Sequence, residues 1–245
     1  MKGRTWVLVA ILLAAMSALL HYTHYLIFHD AHHVFIYMFG DIAFLPMEVL
    51  LVTLIIDRLL SRREEVSRRN KMNMVIGAFF SEVGQDLILA LDRTSSDADQ
   101  IRANLAITPE SSETDIKLSI AWAETTPFKI KPTPEVLADI RDHLAKHRDF
   151  MLRMLENPTL LEHETFTDLL WSVLHLQEEL VARKSLDTLP ETDLHHLAGD
   201  VERAYTHVLR AWLDYMIHLK RSYPFLFSLA ARTNPLRPDA RPEVV

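Results

Sequence analysis

Two long apolar runs near the amino terminus constrain this chain more than any other feature. They extend over residues 6–28 and 34–56, and no Lys or Arg occurs between Arg4 and Arg58. Each run is 23 residues long, which is enough to cross roughly 30 Å of hydrocarbon as an α-helix. The pattern predicts a two-helix transmembrane hairpin, residues 1–60, with a histidine-rich turn at residues 29–33.

The distribution of basic residues predicts how this hairpin is oriented. Lys and Arg flank the pair of runs on both outer sides and are missing from the turn. The positive-inside rule then places both termini in the cytoplasm and the turn outside, as in an inner (plasma) membrane protein of a prokaryote. A cleaved signal peptide is the main alternative, because Lys2 and Arg4 precede an apolar stretch and Ala15-Met16-Ser17 resembles a cleavage site.

A basic collar follows the second run directly. It consists of Arg58, Arg62, Arg63, Arg68, Arg69 and Lys71. Such a collar is suited to contact with the anionic headgroups of the lipid bilayer. From Met72 onward Asp and Glu outnumber Lys and Arg, which argues against a nucleic-acid-binding face. The chain has no cysteine, so disulfides, thiolate metal sites and cysteine nucleophiles are excluded.

Acidic side chains lie inside the second apolar run. Asp41 and Glu48 are seven residues apart and share a helical face. An ionised carboxylate near mid-membrane costs at least ~2.5 kcal/mol, so Glu48 must be protonated, paired or exposed to water. Pro46 also frees the carbonyl of Ile42 beside the acids. An ion or proton path is therefore predicted from Asp41, Glu48, His21, His24 and Tyr37; the alternative is that these groups only hold helices together.

Five histidines fall within thirteen residues of the hairpin: His21, His24, His29, His32 and His33. The last three predict an external site for a divalent metal (Zn, Cu or Ni), or a turn that responds to pH. The alternative without a specific role is a turn at the membrane interface, with aromatic and imidazole side chains at the level of the headgroups. The spacing also resembles a histidine box of membrane di-iron desaturases and hydroxylases. That reading conflicts with the predicted topology, which places the other suitable pair, His143 and His147, in the cytosol.

The remainder of the chain predicts a cytosolic α-helical bundle over residues 61–232, continuous with the second span because no Gly or Pro interrupts residues 57–65. Thr133 is a helix cap followed by Pro134 at the first helical position. The last long helix has apolar residues alternating by three and four, as in a coiled-coil seam. The predicted helices are 72–91, 116–124, 133–156, 159–183 and 190–221, with a linker at 93–114 that could hold a short helix and a flexible tail at 233–245.

Two further points stay open in this bundle. The apolar face of residues 72–91 is expected in the core, with the inner membrane leaflet as the alternative. The sequence contains no Glu-x-x-His pair, Gly-rich phosphate loop or His-Glu-x-x-His motif, so an enzyme is not expected.

The function predicted from these patterns is a homo-oligomeric cation or proton channel, or a channel-like sensor. One hairpin cannot enclose a water path, and Ala10, Ala14 and Ala18 form a small-residue stripe that allows close self-association. The alternative is a non-conducting membrane-anchored signalling or scaffold protein that senses metal or pH and recruits a cytosolic protein partner. A histidine-box membrane metalloenzyme is the third hypothesis.

Overall fold

The regular secondary structure of the chain is helical. A computed structural model describes residues 2–161 and 164–244, and in these ranges an isolated bridge between Ser95 and Ile130 is the sole β pairing. The prediction of an all-α fold is confirmed. The helices are α1 (Lys2–Phe28), α2 (Ala31–Phe79), α3 (Gln85–Asp92), α4 (Ala98–Leu105), α5 (Glu113–Thr125), α6 (Pro134–Leu155), α7 (Pro158–Leu161), α8 (Glu164–Ala182), α9 (Glu191–Ser222) and α10 (Pro224–Arg232).

The chain divides into two compact units, Met1–Val66 and Ser67–Val245. In the first unit every side chain from residue 6 to residue 65 is exposed except His24 and Val34, which are half-buried. By length and composition, α1 and α2 are apolar enough to cross a membrane. The apolar surface of the hairpin is therefore left uncovered by the parts of the chain that the structure describes.

A two-residue turn joins α1 to α2. His29 has a positive φ of 51°, which reverses the chain after α1, and its amide N–H donates to the Tyr25 carbonyl over 2.9 Å. Asp30 then begins α2, because its Oδ1 accepts a hydrogen bond of 3.1 Å from the backbone N–H of His33. An Asp before the first helical residue is a favoured N-cap.

The second unit is built around α9, against which α5, α8 and α10 pack, while α6 packs against α8. Trp212 and Tyr205 of α9 are fully buried among side chains from several of these helices. The predicted cap of α6 is confirmed: the Thr133 hydroxyl accepts from the Val136 N–H, and Pro134 is the first helical residue. The apolar side chains that α6 contributes to the core include Leu137, Ile140, Leu144, Met151 and Met154, all of them buried.

Residues 72–91 lie in the core of the second unit, as expected. They form the end of α2, a π-helical turn (Phe80–Gly84) and most of α3. The π turn accommodates one residue more than an α turn, so the consecutive Phe79 and Phe80 are both buried. The Phe79 ring meets Phe166 at a centroid distance of 5.6 Å, and the Phe80 ring meets Trp212 at 5.1 Å.

The prediction that residues 93–114 form a linker is wrong. The short helix suggested within this segment is present as α4. Ile101, Leu105 and Ile107 from this segment are buried in the core. Their burial is anchored by the Asp92 carboxylate, which accepts hydrogen bonds from Arg102 of α4 and from the Tyr205 hydroxyl of α9. The polar composition of this segment suggested a linker, but its polar side chains form hydrogen bonds within the folded unit while its few apolar side chains are buried.

The first part of the predicted tail also packs against the second unit. Asn234 and Leu236 are fully buried, and the Asn234 Nδ2 donates to the Ile107 carbonyl over 3.2 Å. Residues 238–244 are exposed. The Arg241 N–H nevertheless donates to the Arg232 carbonyl over 3.0 Å. This packing leaves no sign in the sequence, because two buried side chains among prolines form no periodic pattern.

Candidate functional site

A polar cleft lies between α1 and α2 close to the turn. Its volume is about 560 Å³. The residues that line it are His21, His24, Phe28, Asp30, His33, Val34, Tyr37 and Asp41. Six of these eight side chains carry titratable groups, although the surrounding hairpin is almost entirely apolar.

Helical periodicity explains why these residues meet. On α1, His21, His24 and Phe28 are separated by three and four residues, and on α2, His33, Tyr37 and Asp41 are separated by four each. Residues at these spacings lie on one face of a helix. The two faces are turned toward each other by the short connection at His29 and Asp30.

Local hydrogen bonds and ring contacts hold several of the cleft groups in place. The His21 Nδ1–H donates to the Ser17 carbonyl over 2.9 Å, which leaves Nε2 available as an acceptor or ligand. The His24 ring lies 4.8 Å from the Phe28 ring, and the His33 ring lies 4.8 Å from the Tyr37 ring. Imidazole and carboxylate groups in this arrangement can exchange protons or coordinate a cation.

Four of the five residues predicted for an ion or proton path line this cleft: His21, His24, Tyr37 and Asp41. Glu48 is not among the lining residues, and its exposed side chain has neither a hydrogen bond nor an ion pair with another described residue. Asp30 was missed because it was read only as part of the turn. Its spacing of three residues from His33, typical of an N-cap, was the available signal.

The three histidines predicted as metal ligands are not brought together. His33 lines the cleft, whereas His32 lines a separate cavity with Phe35, Ile36, Met38 and Phe39. Consecutive helical residues point about 100° apart, so His32 and His33 cannot share a face. His29 instead forms the turn. Of that set, only His33 reaches the cleft.

The basic collar is exposed where its side chains are described, at Arg58, Arg62, Arg63 and Lys71. The side chains of Arg68 and Arg69 lie outside the described residues. Contact of this collar with anionic headgroups stays a prediction.

A second cavity, of about 660 Å³, lies within the second unit beside the π turn. Apolar side chains line most of it, together with Tyr215 and His218. The His218 Nε2 and the Trp212 Nε1 are buried without a described hydrogen-bond partner. Burial lowers the pKa of His218 and raises the pKa of Tyr215. Apolar cavities of this size with a few polar groups are typical of sites for small ligands.

The second pair of the histidine-box hypothesis, His143 and His147, bonds to backbone carbonyls. The His143 Nε2–H donates to the carbonyl of Val83 in the π turn over 3.1 Å, and the His147 Nδ1–H donates to the His143 carbonyl over 2.9 Å. The other ring nitrogen of each imidazole is left available, but no group of three His or carboxylate ligands forms around this pair among the described residues. The di-iron hypothesis stays a prediction.

Two family models match the chain. One, described as MJ1433, N-terminal helical domain, matches residues 2–60, and the other, described as Uncharacterized protein MJ1433, C-terminal helical domain, matches residues 68–232. The chain belongs to the MJ1433 family. The uncharacterized protein MJ1433 of Methanocaldococcus jannaschii is 38% identical over 232 residues, which is 95% of this chain and 93% of that protein. No solved structure matches the chain.

The family match extends over both compact units. The apolar hairpin lies in the N-terminal helical domain of the MJ1433 family, and the bundle lies in the C-terminal one. The cleft at His21 and Asp41 is therefore part of the region that the family model describes, as is most of the larger cavity beside the π turn.

Proposed function

We propose that the chain is an integral membrane protein whose hairpin assembles into a homo-oligomeric cation or proton channel, or a channel-like sensor. The observation that supports this most is the placement of the titratable cleft in an apolar hairpin that the described chain leaves uncovered. Titratable groups within a membrane-spanning segment are costly and mark ion and proton pathways.

Burial in a membrane accounts best for the apolar surface of α1 and α2. Continuous exposed apolar surface marks contact with a membrane or another protein. The apolar windows of both helices are not buried within the chain, which disfavours the core of a soluble domain. A signal peptide is disfavoured because the N-terminal helical domain of the family extends through residues 2–60.

The environment of Glu48 supports self-association. Glu48 lies seven residues beyond Asp41 on α2, about 10 Å further along the helix axis. In hydrocarbon its carboxylate needs water or a polar partner, and the described part of its own chain supplies neither. A second copy, approaching along Ala10, Ala14 and Ala18, extends the polar path from the cleft toward Glu48.

The test is flux through the full-length protein in liposomes, measured with pH-sensitive and potassium-sensitive dyes. We expect Glu48→Gln to reduce flux to background, because it removes the carboxylate from the path without changing side-chain size. Glu64→Gln, on the same helix beyond the apolar run, is the matched control and should conduct as the wild type does. Native mass spectrometry of both variants checks that assembly is unchanged. Flux unaffected by Glu48→Gln contradicts the channel.

A non-conducting sensor or scaffold is the alternative, and two observations favour it. Glu48 is absent from the cleft, so the polar groups of one hairpin cluster near the turn, and the second unit has a cavity able to take a ligand or a partner side chain. Replacing the five hairpin histidines should then change cytosolic partner binding, measured by crosslinking in cells. Wild-type flux stays at background in this case, which distinguishes the two functions.

A further inference from the structure

Two copies of the same short pattern lie on the packed helices α8 and α9. His175 and Glu179 are four residues apart on α8, and His196 and Asp200 are four residues apart on α9. A spacing of four places both members of a pair on one helix face. Because α8 and α9 pack directly against each other, the four side chains meet across this helix contact.

The donor atoms of this group lie close together: His175, Glu179 and Asp200 each offer one within 4.8 Å of the others. The His175 Nε2 is 3.6 Å from the Asp200 Oδ1 and 3.9 Å from the Glu179 Oε1. The His196 Nε2 is 3.3 Å from the Asp200 Oδ2 and 3.6 Å from the Glu179 Oε2. Ligands about 2.0–2.2 Å from a tetrahedral ion are about 3.3–3.6 Å apart. The two imidazoles face different oxygens of each carboxylate, so they must move closer together to share one ion.

Asp200 gives an independent indication of a ligand. It is 3% exposed, and its Oδ2 is buried without a hydrogen-bond partner in the described chain. A buried, unsatisfied carboxylate oxygen is costly unless something binds it. This oxygen lies beside the His196 ring nitrogen, so it points into the group of four side chains.

Two arginines bond to the carboxylates and fix their orientation. Arg203 donates to the Asp200 Oδ1 over 2.8 Å, and Arg183 donates to the Glu179 Oε2 over 2.7 Å. Arg183 is itself fixed by two hydrogen bonds to Asp193, of 2.8 and 2.6 Å. Hydrogen bonds of this kind orient the ligands of metal sites. The imidazoles remain accessible, with His175 46% and His196 54% exposed, and provide the entry path.

We propose that His175, Glu179, His196 and Asp200 form a binding site for a divalent first-row transition metal ion, with Zn²⁺ the best match. Two imidazole nitrogens and two carboxylate oxygens suit a tetrahedral Zn²⁺ site, whereas Mg²⁺ and Ca²⁺ prefer oxygen ligands alone. The ion joins α8 to α9. This site is separate from the hairpin and does not depend on its function.

The test is calorimetric titration of Zn²⁺ into metal-free, full-length protein in detergent micelles. We compare the wild type with a bundle variant, His175→Ala/His196→Ala, and with a hairpin variant, His21→Ala/His33→Ala. The bundle variant is expected to bind at least about tenfold more weakly, whereas the hairpin variant keeps the tightest site. Mg²⁺ should not compete.

The matched controls are His195→Ala and Glu178→Gln, which change the exposed neighbours of His196 and Glu179. Both should bind Zn²⁺ as the wild type does. Zn²⁺ should also raise the Tm of the hairpin variant but not that of the bundle variant. Equal affinity in wild type and bundle variant, or loss confined to the hairpin variant, overturns the proposal.

Co²⁺ added to the unmutated protein gives a readout that does not depend on any variant folding. A tetrahedral site with imidazole ligands should give a visible absorption spectrum distinct from that of the hydrated ion, and Zn²⁺ should abolish it. A spectrum identical to that of hydrated Co²⁺ rejects the site.

Discussion

At the scale of single residues, one buried carboxylate connects three helices. Asp92, at the end of α3, is 1% exposed and accepts from Arg102 of α4 and from the Tyr205 hydroxyl of α9, at 3.0 Å for each of the Arg102 Nε and Tyr205 Oη donors. Arg102 is the ionic partner of this carboxylate. Such a group is tolerated inside a protein because every strong interaction it needs is present.

Tyr205→Phe tests this network. Removing the hydroxyl leaves the Asp92 Oδ1 without a donor, and we expect the variant to be less stable by about 2 kcal/mol. Thermal unfolding of the full-length protein, followed by circular dichroism, measures the change. Tyr223→Phe is the control, since no hydrogen bond of its hydroxyl is described. Equal effects of the two substitutions would count against the network.

Gly77 is the second residue whose identity is constrained. A Cβ at this position would lie 2.6 Å from the Tyr215 hydroxyl, and the Tyr215 ring is stacked on Phe80 at 5.7 Å. A methyl group at position 77 would therefore force the tyrosine to shift from its stacked position. The glycine permits the Tyr215 side chain to lie against the backbone of α2.

We expect Gly77→Ala to lower the free energy of unfolding and the Tm. Gly199→Ala, whose Cβ meets nothing within 4 Å, should raise both, because alanine favours the helix over glycine by up to about 1 kcal/mol. Both glycines lie within helices, so both substitutions gain the same helix propensity. A difference in stability between the two variants therefore reports the steric clash at position 77. Adding Tyr215→Phe to Gly77→Ala should recover part of the loss. A Gly77→Ala variant as stable as Gly199→Ala would refute the clash.

At the scale of helices and turns, the π turn depends on its contact with α6. The His143 imidazole donates to the carbonyl of Val83 in this turn. Desolvation by burial is the largest cause of the lowered pKa of His143, assisted by His147 and Lys146, while the hydrogen bond to Val83 and the charge of Asp86 oppose it. The folded bundle therefore favours the neutral imidazole.

This lowered pKa predicts acid sensitivity. The unfolded chain binds a proton at His143 near pH 6.5, whereas the folded chain does so only at lower pH. The stabilisation is therefore complete above pH 6.5 and is lost as the pH falls toward the folded pKa. His143→Gln keeps a donor and should flatten the dependence of Tm on pH below 6.5. Some slope remains because the pKa of His218 is also lowered; an unchanged slope contradicts the assignment.

The same scale shows what the sequence could predict. Helix α6 was predicted to within a residue at each end because Thr133, Pro134 and Asn157-Pro158 mark its limits locally. The burial of the segment from Arg93 to Thr114 was not predicted. It depends on hydrogen bonds from Arg102 and Tyr205 to Asp92, and Tyr205 lies 113 residues away from Asp92 in the sequence. Local patterns predict helices well and distant polar partners poorly.

For the molecule as a whole, a candidate site could be predicted where its residues lie on helices joined by a short turn. His21, His24, Tyr37 and Asp41 could be placed together because one short turn relates the two helices. The group at His175 and Asp200 has equally clear spacing on each helix, but nothing local indicates that those two faces meet. Only the packing of α8 on α9 brings them together.

The hydrogen bond between Asp92 and Tyr205 also bears on how the protein is made. At synthesis rates of about 5–20 residues per second, the 113 residues that follow Asp92 up to and including Tyr205 take on the order of 10 s to be made. Until then Phe79, Phe80 and Leu87 have no partner from α9. The nascent bundle therefore passes through an interval in which chaperones and proteases compete with folding, and slowing translation between α3 and α9 should lower its yield.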